Sequence, residues 1–129
     1  MNAKSRLAFV CAASVPLAGL LVAAASPSAL AGAEGGLWEV SRSGTAPLRL
    51  CIPNPSTLAQ LEHRQAPCTA NVVRDSGATA TIHYTCRGGD FGHSNLTLVT
   101  PRSLRVETQG ISENAPFKYT FQARRVGNC

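Results

Sequence analysis

The chain has 129 residues, 44% of them hydrophobic, and 12 Lys+Arg against 7 Asp+Glu give a formal charge of +5. Two of the basic residues, Lys4 and Arg6, stand before a long apolar run, and Arg124-Arg125 is the only basic pair in the rest. The balance is too mild and too scattered for the charged face of a nucleic-acid-binding protein. It fits an Arg-rich solvated surface, the sharper alternative being weak affinity for anionic lipid or polysaccharide at a cell envelope.

From Leu7 to Ala25 the chain carries no charge, and Ser26-Pro27-Ser28-Ala29-Leu30-Ala31 then breaks any helix and ends in small residues. A basic start, an apolar middle and a small-residue cut site are the three parts of a secretory signal. The expected cut falls after Ala31, so that residues 1–31 are the signal and residues 32–129, beginning at Gly32, form a single domain. An uncleaved anchor is the competing reading, since the run reaches the lower range for a membrane span. Pro16, the alanine-rich composition and the Ala-Leu-Ala ending argue for cleavage and against a stable span afterwards. Cys11 follows Phe9-Val10, not the small residues that precede a lipid-modified cysteine. The expected destination is the periplasm or the medium.

Four cysteines remain behind the signal: Cys51, Cys68, Cys86 and Cys129. An even set in a short exported chain reads as a disulfide framework. The 98 residues from Gly32 carry 10 Lys+Arg and 7 Asp+Glu, a charge of +3. A domain of this size buries a modest share of its surface, so covalent cross-links matter to it.

Leu37–Val40 reads as a first strand, and Leu48-Arg49-Leu50-Cys51-Ile52 alternates like a second. Pro53-Asn54-Pro55 stops that strand; Asn54 suits an N-cap and Pro55 the first helical position, predicting a short helix to about Arg64. Cys68–Arg74 and Thr79–Cys86 then form a hairpin about Asp75-Ser76-Gly77. Folding at Gly77 sets Val72 against Ile82, Ala70 against Tyr84 and Cys68 against Cys86, all on one face. This register selects Cys68–Cys86 from the three connectivities that four cysteines allow, leaving Cys51–Cys129.

Arg87–His93 reads as a Gly-rich loop, and a second hairpin, Ser94–Val99 and Ser103–Gln109, turns at Thr100-Pro101-Arg102. It pairs Leu98 with Leu104 and Leu96 with Val106. Gly110–Pro116 reads as a further loop. In the last strand Phe117, Tyr119, Phe121 and Ala123 alternate with Lys118, Thr120, Gln122 and Arg124, the pattern of an antiparallel strand with one wet face. The expected fold is mainly β: a curved antiparallel sheet or partly closed barrel of about seven strands, with one short α-helix.

Four stretches together carry a resemblance. These are Gly36-Leu37-Trp38-Glu39-Val40, Cys51-Ile52-Pro53-Asn54-Pro55, the Cys68…Cys86 hairpin, and the ending Arg124-Arg125-Val126-Gly127-Asn128-Cys129. In order and spacing the chain resembles a family of small exported, mostly proteobacterial proteins known as domain of unknown function 3617. The resemblance implies export and two disulfides, and it supplies no activity. Family members often carry Met-rich middle strands; here Met1 is the one methionine, so a soft-metal role does not carry over.

Candidate chemistry is sparse. Asp90 and His93 share the loop Arg87-Gly88-Gly89-Asp90-Phe91-Gly92-His93, where a carboxylate and a general base could serve a hydrolase. No nucleophile accompanies them, so a solvated turn is the preferred reading. His63, His83 and His93 fit no metal-ligand spacing, and no cofactor is expected. Asn95-Leu96-Thr97 matches a glycosylation sequon by chance. Trp38, Phe117, Tyr119 and Phe121 could line the concave side of the sheet and hold an apolar ligand, although so small a domain needs its aromatics for its core. The expectation is a non-enzymatic binding or interaction module whose partner the sequence does not identify, an envelope component or a small apolar ligand being the candidates. The alternatives are a carrier of a small apolar ligand and a hydrolase using Asp90 and His93.

Overall fold

The computed structural model describes residues 26–129. The apolar run Leu7–Ala25 and Cys11, expected to form the body of an export signal, lie outside the described residues.

Seven strands form one open, curled antiparallel sheet: β1 Gly36–Ser41, β2 Leu48–Ile52, β3 Cys68–Ser76, β4 Thr79–Cys86, β5 Phe91–Thr100, β6 Ser103–Ser112 and β7 Ala115–Gly127. Their order is β2-β1-β7-β6-β5-β4-β3. The last five strands follow one another through tight turns and therefore lie side by side. β1 joins this meander at β7, and β2 folds back outside β1, so β2 and β3 are the two edges.

The hairpin registers follow from alternation. Val72 faces Ile82, Ala70 faces Tyr84 and Cys68 faces Cys86. Leu98 faces Leu104 and Leu96 faces Val106. Of the two expected loops, Gly110–Pro116 is mostly strand and Arg87–His93 is strand in its last three residues. Only Arg87–Asp90 separates β4 from β5, and Phe91-Gly92-His93 belongs to β5. β6 and β7 are joined by Glu113-Asn114 alone, both left-handed with φ of 51° and 63°, the backbone a two-residue hairpin turn demands. Glycines signal breaks, but Gly92 and Gly110 pair with each other inside the sheet, next to Tyr84. The Tyr84 ring lies over Gly92 and replaces the side chain that position lacks.

The helix Pro55–His63 covers the concave face. The Asn54 carboxamide oxygen accepts from the Ser56 amide at 3.1 Å, and Pro55 takes the first position. The helix is wound with 3-10 geometry and kinks at Gln60. Next to the kink the Ala59 carbonyl accepts the Ser94 hydroxyl at 2.6 Å, tying the helix backbone to the sheet. Leu58, Ala59 and Leu61 are buried beneath the helix, with Trp38, Ala80, Ile82, Leu96, Leu104, Val106 and Phe121 from the strands. Each large aliphatic side chain removed from water contributes roughly 2 kcal/mol.

Before β1, Ser28–Leu30 makes a single tight turn against β3, β4 and β5, with Pro27, Ala29 and Leu30 buried. The cut expected after Ala31 falls at the end of this turn.

Two cysteine pairs lie at disulfide distance. Cys68–Cys86 closes the open end of the β3–β4 hairpin, and Cys51–Cys129 ties edge strand β2 to the end of β7, across β1. Such pairs persist in an oxidising, non-cytosolic environment. Among the described residues no helix is long and apolar enough to cross a membrane.

Candidate functional site

The end of the helix carries a polar cluster into the fold. His63 is buried; its Nδ1 lies 2.9 Å from the Tyr84 hydroxyl and its Nε2 3.3 Å from Asp90 Oδ2. Beside it the Tyr119 hydroxyl donates to Glu62 at 2.8 Å, with the Arg42 guanidinium 4.2 Å above the Tyr119 ring. Burial, with the carboxylates of Glu62 and Asp90 adding to it, pushes the Tyr84 phenol up to about 12. Burial and then Glu62 raise Tyr119 as well. Both phenols therefore stay protonated at neutral pH. Which of the pair donates in the Tyr84–His63 Nδ1 hydrogen bond is set by the imidazole tautomer, and the buried Nε2, although near Asp90, makes no hydrogen bond. Hydroxyl, imidazole and carboxylate are in line, yet the hydroxyl belongs to a wholly buried side chain. The arrangement fastens the helix to β4 and to the Arg87–Asp90 turn.

Asp90 and His93, expected as an acid–base pair, have different partners. The Asp90 carboxylate faces His63 and accepts from the Glu113 amide at 3.3 Å. His93 stands directly across from His83 on the solvent face, ring centroids 4.1 Å apart, with its Nδ1 facing His83 Nε2. Burial first, and the neighbouring His83 second, hold the His93 imidazolium below its usual range. The two imidazoles were separable in sequence only by treating His93 as loop. Continuing the alternation of β4 through Gly92 brings them together. His63, the last residue of the helix, is buried against the sheet. Among the described residues no group of three or more His, Cys, Asp or Glu could hold a metal ion.

The four aromatics divide. Trp38 and Phe121 are fully enclosed by other side chains, and Trp38 Nε1 donates to the Glu34 carbonyl at 3.0 Å. Phe117, Tyr119 and Phe121 run in a row along β7 with centroids 5.9 and 6.1 Å apart, and Phe117 meets the His63 ring edge-on. An apolar opening lies elsewhere. It is a groove of about 450 Å³ between β2 and the helix, lined by Leu50, Ile52, Leu58 and Leu61. Arg124 and Arg125 face Glu39 and Glu34 at 3.9 and 4.0 Å, so the one basic pair is partnered by acids.

The most accessible feature is edge strand β3. Every residue after Cys68 is exposed, Val72 by 45% and Val73 by 53%. A bulge at Val73 shifts the register between Val72 and Arg74. Up to that bulge the edge Cys68-Thr69-Ala70-Asn71-Val72-Val73 has neither charge nor proline, two devices that usually guard sheet edges. Cys68–Cys86 fixes one end, and the Asp75 carboxylate fixes the other by accepting from the Ser28 and Ala29 amides, each at 2.7 Å.

No curated protein and no solved structure matches the chain. The family model described as "Protein of unknown function (DUF3617)" matches residues 33–129, and the chain belongs to that family.

Proposed function

We propose that this protein is a non-enzymatic binding module of the periplasm or cell envelope, and that it works by accepting an extended segment of another envelope polypeptide along β3. The observation that carries the reading is the exposed, uncharged edge from Thr69 to Val73. An open edge offers unpaired backbone donors and acceptors, and an added strand continues the ladder. Val72 and Val73 supply apolar contacts on that strand. Because both ends of β3 are tied down, little ordering cost remains when a strand is added.

A photo-crosslinking amino acid at Val73, in cells producing the full chain, tests this. A discrete adduct with another polypeptide is expected at Val73, absent from Val99 and abolished by Val72→Lys. Adducts at Val99 but not Val73, or a product that is a dimer of this chain, overturn the reading. The groove beside Leu50 and Leu61 favours a second reading, carriage of a small apolar ligand. Native mass spectrometry of protein purified from its own compartment would then show a retained small molecule.

A further inference from the structure

We infer that Ser26–Ala31 belongs to the finished protein: the export signal is removed after Ala25, and the new N-terminal segment is clamped to the sheet by Asp75 as part of the core. The inference rests on the export reading above.

The segment is fitted to the fold at every step. The Ser26 hydroxyl donates to Asn54 Oδ1 at 3.3 Å. Pro27 is buried, and its carbonyl accepts from the Leu30 amide at 3.0 Å. The two oxygens of Asp75 each accept one backbone amide, from Ser28 and from Ala29, both at 2.7 Å. Ala29 and Leu30 are buried at 7% and 4% exposure in the same cluster as Trp38, Ile82 and Leu96. The chain then continues without a break, Ala33 donating to the Leu30 carbonyl and Glu34 to the Pro101 carbonyl, each at 3.0 Å.

A signal is discarded, so nothing selects its residues to complement the domain left behind. Three buried side chains and a two-pronged carboxylate contact are the marks of a segment that stays. A cut after Ala31 would remove all three side chains, open the core beside β4 and leave Asp75 without either amide. The two amides, the larger from Ala29, hold the Asp75 carboxyl below its ordinary range, as a carboxylate committed to donors should be. The sequence offers another site upstream. Ala23-Ala24-Ala25 places small residues at the first and third positions before Ser26 and lies where the apolar run ends.

The test uses the full chain, secreted from a bacterial host with its own N-terminal region. N-terminal sequencing and intact mass should show Ser26 first, and Ala31→Leu should be processed identically. A start at Gly32, or loss of processing in Ala31→Leu, overturns the inference while leaving export intact. A protein still beginning at Met1 and retained in the cell overturns the export reading itself. A second readout follows stability. Protein beginning at Gly32 should melt about 10 °C below protein beginning at Ser26. Asp75→Asn should lower the melting temperature of the longer form and leave the shorter form unchanged. Equal melting temperatures for the two forms, or an equal Asp75→Asn effect in both, overturn the inference.

Discussion

Tyr84 lies across Gly92 so closely that a β-carbon at position 92 would overlap its ring. The two face each other in the β4–β5 register, and the ring reaches on to His63. One glycine thus sets the position of the tyrosine that anchors the helix. Gly92→Ala should displace Tyr84 and separate it from His63. The expected loss is about 3 kcal/mol, the upper end for overpacking, because the ring has no free space to enter. Urea unfolding measures it. If Gly92→Ala is neutral, the ring is not held where it appears.

The two tyrosines of the chain make a second test, since both phenols are raised, Tyr84 to about 12. The unfolded value is 10.0. A group whose folded pKa is raised adds stability that is complete below the unfolded value and lost as pH climbs toward the folded one. Native protein should therefore show little tyrosinate absorbance at pH values where denatured protein is half ionised. Stability should fall between about pH 10 and 12, and Tyr84→Phe should flatten that fall. Ordinary titration of both phenols in the native protein would contradict the burial of the helix-end cluster.

Much of the sheet was legible because apolar alternation has period two and turns announce themselves. Folding about Gly77 and Pro101 places Val72 on Ile82 and Leu96 on Val106, and the same arithmetic brings Cys68 to Cys86. The helix-end cluster was not legible. It joins His63 from the helix, Tyr84 from β4 and Asp90 from a turn, and only the curl of the sheet brings these together. Phe91-Gly92-His93 read as loop because a glycine gives no hint that a tyrosine from the next strand will cover it. Ser26–Ala31 reads in sequence as the end of a signal, and its packing of Pro27, Ala29 and Leu30 against the sheet carries no periodic signal that could announce it.

His93 gives a test in the acid range. Its folded pKa lies below the ordinary 6.5, through burial and the facing His83. As pH falls, the unfolded chain takes up the proton first, so stability is complete above 6.5 and declines below it until the folded group also protonates. His93→Gln should remove this decline while leaving the neutral-pH stability nearly unchanged, since the ring is on the solvent face. Chemical denaturation at pH 7 and at pH 5 compares the two proteins. An identical acid loss in His93→Gln would show that the His83–His93 approach does not affect stability.

The two disulfides should differ in what they contribute. Cys51 and Cys129 are 78 residues apart, Cys68 and Cys86 only 18. On the chain-entropy argument the longer closure restrains the unfolded chain more, roughly 4–5 kcal/mol against roughly 3. Their local consequences differ too. Without Cys68–Cys86, β3 is still held by its register with β4 and by Asp75. Without Cys51–Cys129, β2 keeps only its pairing with β1 and the packing of Leu50 and Ile52 against the core, and the end of β7 loses its tie. Replacing Cys51 and Cys129 with serine should therefore release β2, seen as fast amide exchange from Leu48 to Ile52, before global unfolding. Replacing Cys68 and Cys86 should raise exchange at the start of β3 and cost less in urea. If the shorter closure proves the more stabilising of the two, the β3–β4 hairpin depends on its covalent end more than its register implies.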